Sequence, residues 1–258
     1  MKKQQPKSEI ARACLFALMH NLGLMPHEKV LIVTDREKRF IAEAMKEAAL
    51  FLTPRVDLLE IPVLEVSGRE PPDSVAEVML RSDVILMPLA KSLSWTQARM
   101  KATVSGARIA SMPGITAETV LRTFTQDYEP IRRRVNLLCD LLDEADGVGI
   151  TSDLGTDLTF RVKGRRGRGR RAGIYTEKGS WGNLPCGEAF IAPIEGTANG
   201  VYFVDASHSG TGKIREPIRV EVREGRAQKL TGGEQSETLT SVLRSLDNPD
   251  AFNIAEFG

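Results

Sequence analysis

The first half of the chain alternates short apolar runs with amphipathic stretches. The apolar runs are bounded by polar residues and cover 29–35, 56–63, 83–89 and 107–113. Each stretch between two runs is long enough for a helix, and several place apolar residues three and four positions apart. Strands that alternate with helices at this spacing are typical of a parallel sheet flanked by helices. We therefore predict such a sheet, with helices on both of its faces.

A further helix is predicted over 129–145, at the end of this half. Its apolar residues Ile131, Val135, Leu138 and Leu142 fall on one stripe at helical spacing.

From Gly147 onward the pattern changes to short β-branched or aromatic runs separated by Gly, Asn and Pro. Strands are predicted in DLTFRV, GIYTEKG, EAFIAPI and GVYFVDAS, followed by a hairpin that turns at Gly225 and a helix from Glu234 to Leu246. The predicted fold class is therefore an α/β domain at 1–146, followed by a β-rich α+β domain at 147–258.

Composition and charge exclude several classes of protein. The 258 residues carry a net charge of +1, which gives no overall field that would attract nucleic acid or a membrane surface. No apolar run is long enough to span a bilayer, and the first residues lack the apolar core of a signal peptide. Three widely spaced cysteines fit a reducing compartment, so we predict a cytoplasmic protein. Only three histidines are present, which argues against a histidine-rich metal site within this chain.

The most basic segment is RVKGRRGRGRR at 161–171, in which seven of eleven residues are Lys or Arg. Such a segment could grip phosphates by charge alone, but it has no interleaved aromatic residues to stack on bases. The favoured interpretation is a solvated hairpin tip whose charge is offset elsewhere in the chain, and nucleic acid is not expected as a partner.

Nucleotide motifs and a motif-based nucleophile are missing from the sequence. HSGTGK at 208–213 lacks two of the positions that define a phosphate-binding loop, so it is interpreted as a glycine-rich turn. No GxGxxG follows the first predicted strand, which makes a dinucleotide cofactor improbable. No serine or cysteine is paired with a histidine by motif.

The remaining candidates for chemistry are carboxylates. Glu188 follows Pro185 and Gly187 and precedes an apolar run that is expected to be a buried strand. A carboxylate in such a place is costly unless it is paired or bound to a metal. Glu256 lies in a similar setting in NIAEFG, and Glu195 and Asp205 are further acids in this half. From spacing alone, an ordinary salt-bridged acid is the favoured interpretation of each.

Several segments together resemble one family. GARIASMPGIT, GTDLTF, GNLPCGEAFIAPIEGTANG, LTGGEQSETL and NIAEFG are similar to the thermophilic metalloaminopeptidases of the aminopeptidase T type, whose relatives include 2,5-dihydroxypyridine dioxygenases. The resemblance covers nearly the whole chain, and the stretch at 182–200 is its most specific part. It implies a parallel-sheet domain, a β-rich domain that carries a metal site, and a homodimer.

The resemblance also implies which residues would hold the metal. Glu188 matches the P-x-x-E position of the family and Glu256 matches the A-E-x-G position. The implied cofactor is a divalent metal, zinc or cobalt in the peptidases and iron in the dioxygenases. The other family ligands follow the A-E-x-G motif, so the metal site is expected to be incomplete within these 258 residues, which end at Gly258.

Three functions follow as hypotheses. The first is a metal-dependent aminopeptidase-like hydrolase that acts on peptides. The second is a non-haem iron dioxygenase of the same family that opens the ring of a small molecule. The third is a non-catalytic binding protein that uses the Arg-rich segment 161–171 as its contact. The first is preferred on the resemblance.

Overall fold

The computed structural model describes residues 6–209 and 211–258 and divides them into two compact units. The first unit comprises the chain up to Arg133 together with Arg171–Gly187, and the second comprises Arg134–Arg170 and Glu188–Gly258. The predicted boundary near residue 146 stays a prediction. The N-terminal lysines and the Gly210 position of HSGTGK lie outside the described residues.

Five parallel strands form the sheet of the first unit: β1 (Val30–Thr34), β2 (Val56–Glu60), β3 (Val84–Leu89), β4 (Arg108–Pro113) and β7 (Trp181–Asn183). They lie in the order β2-β1-β3-β4-β7. The predicted fold class is confirmed in this respect. The short strand β7 was not predicted, because three residues that include a glycine carry no period-two pattern.

Five helices accompany this sheet: α1 (Glu9–His20), α2 (Arg39–Leu52), α3 (Asp73–Met79), α4 (Gln97–Val104) and α5 (Ala117–Thr123). A sixth helix, α6 (Tyr128–Glu144), begins in the first unit and continues in the second. Alternate residues of β1 enter different cores, since Ile32 packs with α1 and α2 whereas Leu31 packs with α3 and α4. Both faces of the sheet are thus covered, which explains why its central strands read as continuous apolar runs.

Helix α3 begins differently from the expectation that Asp73 or Ser74 would cap it. Its N-cap is Pro72, which makes no side-chain capping hydrogen bond, and Asp73 is the first helical residue. The expected capping was therefore wrong. Asp73 still places a negative charge in the first turn of the helix, where the helix dipole favours it.

A buried carboxylate closes the carboxyl end of the sheet between β1 and β3. Asp35 is 1% exposed and accepts hydrogen bonds from the backbone N–H groups of Glu37 (3.0 Å), Lys38 (3.1 Å) and Ala90 (2.6 Å). In nucleotide-binding folds of this kind the phosphate occupies the corresponding crevice. Here the Asp35 carboxylate accepts the hydrogen bonds of these backbone N–H groups instead.

The second unit contains an antiparallel sheet of five strands: β5 (Gly147–Thr151), β6 (Asp157–Arg161), β8 (Asn199–Val204), β11 (Ile218–Arg223) and β12 (Arg226–Thr231). Their order is β12-β11-β8-β6-β5. Two-residue strands β9 (Ser207–His208) and β10 (Gly212–Lys213) pair with each other, and helix α7 (Gly233–Ser245) and a 3-10 helix (Pro249–Phe252) follow the sheet. The β-rich character predicted for this half is confirmed.

The hairpin between β11 and β12 turns where it was predicted to. Its central residues Glu224 and Gly225 have φ angles of 51° and 76°, as a type I′ turn requires. The glycine adopts this backbone readily, and the Glu224 N–H is held by the side chain of Asn199.

Two predicted strands are absent from the part of the chain that the structure describes. The segment GIYTEKG at 173–179 forms turns, and EAFIAPI at 188–194 makes only isolated bridges at Phe190 and Ile191. Gly173 and Gly179 bound the first segment and Pro193 lies within the second, and neither segment forms a regular ladder although Tyr175 and Ile191 are buried.

The buried face of α6 differs slightly from the predicted stripe. Val135 and Cys139 are buried at 2% and 0% exposure, whereas Leu138 is 50% exposed. Among the described residues, no helix is both long enough and apolar enough to cross a membrane.

The Asp35 interaction predicts a large effect on stability. Replacing Asp35 with Ala leaves the part-buried N–H groups of Glu37 and Ala90 without this acceptor, whereas the Lys38 N–H keeps its bond to the Asp35 carbonyl at 3.1 Å, and we expect the free energy of unfolding to fall by about 3 kcal/mol. Both tryptophans, Trp95 and Trp181, lie in the first unit, so urea unfolding followed by their fluorescence measures this change.

The matched control is Asp57→Ala, because Asp57 is half exposed and forms only a surface ion pair with Lys29. Its loss should cost less than about 1 kcal/mol. Equal effects of the two substitutions would contradict the role assigned to Asp35.

Candidate functional site

The two glutamates predicted as metal ligands lie on neighbouring segments of the second unit. Ile191 and Phe257 form an antiparallel bridge, with N–H to oxygen distances of 2.8 Å and 2.9 Å. The bridge is isolated, and the Glu188 side chain lies beside Gly258, two residues after Glu256.

The last residue of the chain approaches the Glu188 carboxylate closely. A methyl group added at Gly258 would lie 2.7 Å from Glu188 Oε1 and 3.3 Å from the Cβ of Phe190. Any side chain at position 258 would therefore have to displace one of these groups.

The Glu256 carboxyl has a perturbed affinity for protons. Partial burial raises its pKa, and the negative charge of Glu188 raises it further. Both glutamates are nevertheless exposed, so the expected buried strand around Glu188 was wrong. The two carboxylates repel each other across a surface that water reaches, which is a favourable arrangement for a cation.

The Arg-rich segment holds the backbone next to Glu188. The Arg168 N–H donates to the Phe190 carbonyl at 2.7 Å, and the Phe190 N–H donates to the Arg168 carbonyl at 3.1 Å. Gly169 has a φ of 99°, and a Cβ there would overlap the Glu188 carbonyl oxygen. Glycine is required at this position by both its backbone angle and the close approach.

The same segment is anchored to α6. The Asp143 carboxylate accepts a hydrogen bond from the Gly167 N–H at 2.6 Å, and the Cys139 thiol donates to the Arg168 carbonyl at 3.0 Å. The pKa of Asp143 is lowered, first by the Gly167 hydrogen bond and also by Arg166 and Arg170. The segment is therefore held along its length and not only at its ends.

Most of the cationic side chains in this segment are paired with acids. Arg170 contacts Asp140 at 2.7 Å and Asp143 at 2.9 Å, Arg166 contacts Asp143 at 3.4 Å, and Arg165 pairs with Glu195. Their positive charge is offset locally. This leaves less charge for phosphates, and the absence of a nucleic-acid partner stays a prediction.

An open cavity of about 500 Å³ lies against Glu256 in the second unit. Its lining includes the apolar residues Leu154, Tyr202, Phe203 and Ile254 and the polar residues Asp205 and Glu256. Asp205 and Glu256 were candidates from the sequence, whereas the aromatic pair Tyr202 and Phe203 was not. The run GVYFVDAS indicated a strand, but the pattern alone could not show that Tyr202 and Phe203 border a cavity.

The described residues do not by themselves make a complete metal site. Across 6–209 and 211–258, no group of three or more His, Cys, Asp or Glu residues is placed to hold a metal ion. His20 stacks on Phe16 in the first unit, and His208 lies in β9. The carboxylates of Glu188 and Glu256 remain the candidate ligands for a cation among these residues.

The coupling between the two glutamates gives a direct prediction. Glu188→Gln removes one negative charge, so the pKa of Glu256 should fall toward its ordinary value, while the contribution of burial persists. A pH titration of the glutamate side-chain carbonyl ¹³C signals by NMR measures this shift.

The raised pKa of Glu256 also determines the direction in which folding stability changes with pH. A carboxyl whose pKa is higher in the folded state favours folding at low pH, and this contribution is lost as pH rises through the folded pKa. Glu188→Gln should make this fall in stability with rising pH smaller, because the pKa of Glu256 is then closer to its ordinary value. Glu237→Gln, an exposed substitution on α7, is the control and should leave the titration of Glu256 unchanged.

Comparison with known proteins gives a consistent family. The family model described as NicX, 2,5-dihydroxypyridine 5,6-dioxygenase, matches residues 13–258. A curated 2,5-dihydroxypyridine 5,6-dioxygenase from Pseudomonas putida is 26% identical over 133 residues, which are 50% of this chain and 38% of that protein. The matched region thus covers well under half of the curated relative.

Two solved structures share the fold. The 2,5-dihydroxypyridine dioxygenase from Pseudomonas putida superposes with a TM-score of 0.80 at 18% identity, covering 97% of this chain and 76% of that one. Wild-type AmpT from Thermus thermophilus superposes with a TM-score of 0.61 at 16% identity, covering 96% and 77%. At these identities the likeness concerns the fold alone.

Proposed function

This chain belongs to the family of 2,5-dihydroxypyridine 5,6-dioxygenases, and on that premise we propose that it serves the oxygen-dependent opening of a hydroxylated aromatic ring, with iron as the metal. The observation that carries the proposal is the family match over residues 13–258, which includes both glutamates. The cavity beside Glu256 supports it.

The expectation of a hydrolase is corrected by these comparisons. The resemblance favoured an aminopeptidase, a metalloprotease with zinc or cobalt. The family model and the curated relative both point to a dioxygenase instead. The resemblance was to a group that contains both activities, and the segments that carry it are features of the shared fold.

The proposed substrate class rests on the cavity. Tyr202 and Phe203 offer aromatic surface, and Leu154 and Ile254 add apolar walls. Planar rings stack on such side chains, and the carboxylate of Asp205 can accept a hydrogen bond from a ring hydroxyl or N–H group. A small hydroxylated ring therefore matches both the apolar and the polar lining.

Glu188 and Glu256 are proposed to contribute carboxylate oxygens to the metal. When bound, iron supplies the redox chemistry that dioxygen requires. A divalent cation also relieves the repulsion between the two carboxylates, which is the state that raises the pKa of Glu256. Because the described residues do not form a complete site, their assigned roles are to hold charge and to position the ring. The homodimer implied by the resemblance is likewise kept as a proposal.

Metal binding and oxygen uptake test this function together. Binding of Fe²⁺ to the chain is measured by calorimetric titration without oxygen, and 2,5-dihydroxypyridine is then added with excess Fe²⁺ in an oxygen electrode. We expect measurable Fe²⁺ binding and consumption of oxygen. Glu188→Gln and Glu256→Gln should each weaken iron binding by roughly tenfold or more.

The control for both substitutions is Glu237→Gln on α7, which should bind iron as the unaltered chain does. Fe²⁺ binding without oxygen uptake would contradict the proposed reaction but keep the carboxylate assignment. Absence of measurable Fe²⁺ binding by the unaltered chain, or equal weakening in all three variants, would refute the assignment of Glu188 and Glu256.

A further inference from the structure

A second open cavity of the second unit, of about 390 Å³, is lined by residues of β12, α7 and the 3-10 helix. Its volume lies within the roughly 300–1,000 Å³ that is usual for small-molecule sites. Three of its side chains are cationic, those of Arg226, Lys229 and Arg244, and none of the described lining residues is acidic. We call this cavity the basic groove. A concave surface lined by charge of one sign concentrates ions of the opposite sign, so the basic groove favours an anion.

Two of the three cations have no acidic partner. In the ranges 6–209 and 211–258, Lys229 and Arg244 form neither an ion pair nor a side-chain hydrogen bond. Glu221 lies opposite Lys229 in the register of β11 and β12, but its carboxylate is paired with Arg219. Lys229 and Arg244 thus leave two uncompensated positive charges at the basic groove.

The third cation is paired, but at an exposed position. Arg226 contacts Asp250 at 3.2 Å, and the two side chains are 45% and 66% exposed. Exposed ion pairs of this kind contribute at most about 1 kcal/mol. The guanidinium has five N–H donors, of which the Asp250 carboxylate accepts one. Arg226 can therefore also bind an anion in the groove.

Apolar side chains adjoin these cations. Leu230 of β12 and both Pro249 and Phe252 of the 3-10 helix line the groove as well. The 3-10 helix is capped by Asn248, whose side chain accepts a hydrogen bond from the Asp250 N–H at 2.9 Å, so Phe252 lies on a well-defined turn. An inorganic anion would use the charges alone and leave this apolar surface in water. An organic anion covers it, which adds the free energy of apolar burial.

We propose that the basic groove is a binding site for a small organic carboxylate. Arg244 and Lys229 donate hydrogen bonds to the carboxylate, and Arg226 adds a third positive charge. Hydrogen bonds between ionised partners are about twice as strong as neutral ones. Phe252 packs against the apolar part of the ligand. The groove shares no lining residue with the cavity beside Glu256, so this site does not depend on the proposed ring opening.

Benzoate is the probe for this site, because it joins a carboxylate to a flat apolar ring. Backbone ¹H–¹⁵N signals are followed by NMR while benzoate is added at constant ionic strength. We expect saturable shifts for the lining residues of β12, α7 and the 3-10 helix. Benzamide has nearly the same shape without the charge and should bind roughly fivefold more weakly. Inorganic phosphate carries the charge without the ring and should also bind more weakly than benzoate.

Single substitutions test the assigned contacts. Lys229→Gln and Arg244→Gln each remove one charge from the groove and should weaken benzoate binding by roughly fivefold. The matched control is Lys178→Gln, which removes an exposed lysine charge in the first unit and should leave benzoate binding unchanged. Phe252→Leu removes the aromatic wall, so it should weaken the binding of benzoate but not that of phosphate.

The proposal is overturned if benzoate produces no saturable shift, if benzamide or phosphate binds as tightly as benzoate, or if the control weakens binding as much as the groove variants do. Shifts confined to Tyr202 and Phe203 would place benzoate in the other cavity and would equally overturn it. Lys229 and Arg244 are both exposed, so their replacement should keep the fold. These two variants decide the matter even if Phe252→Leu does not fold.

Discussion

The arrangement of the second unit depends on a backbone clamp around residues 188–191. On one side Phe190 exchanges two hydrogen bonds with Arg168, and on the other Ile191 exchanges two with Phe257. None of these three segments is a regular strand. Their relative positions are therefore set by a few backbone hydrogen bonds and close contacts, and not by a continuous β-ladder. The positions of Glu188, of Glu256 and of the Arg-rich segment all follow from this clamp.

The clamp also explains the unusual composition of the Arg-rich segment. Its glycines permit close passage beside the Glu188 backbone and the Cys139 backbone, where Cβ atoms would collide. Its arginines reach the acids of α6 and Glu195. A segment of alternating glycine and arginine is therefore a connector whose backbone must fit a narrow path and whose side chains must balance nearby acids.

The sequence predicted the architecture better than it predicted the site. The strands of the parallel sheet and the hairpin at Gly225 follow from local pattern, because burial on both faces and positive φ angles leave strong local signals. Strand β7 and the bridges at Phe190 and Ile191 depend on contacts distant in the chain, so no local signal marks them. The resemblance pointed to Glu188 and Glu256, whereas Tyr202 and Phe203 were missed because facing a cavity is a tertiary property.

The bridge between Ile191 and Phe257 has a thermodynamic consequence. It brings two acidic residues far apart in sequence onto one surface, where packing of Phe257 on Phe160 and a hydrogen bond from the Ile254 N–H to the Gly225 carbonyl also hold the C-terminal segment. Any ion that contacts both carboxylates cross-links the two segments and binds the folded state in preference to the unfolded one. Binding of such an ion and pairing of the C-terminal segment with Ile191 are then linked equilibria. A higher concentration of the ion increases the fraction of molecules in which this segment is paired.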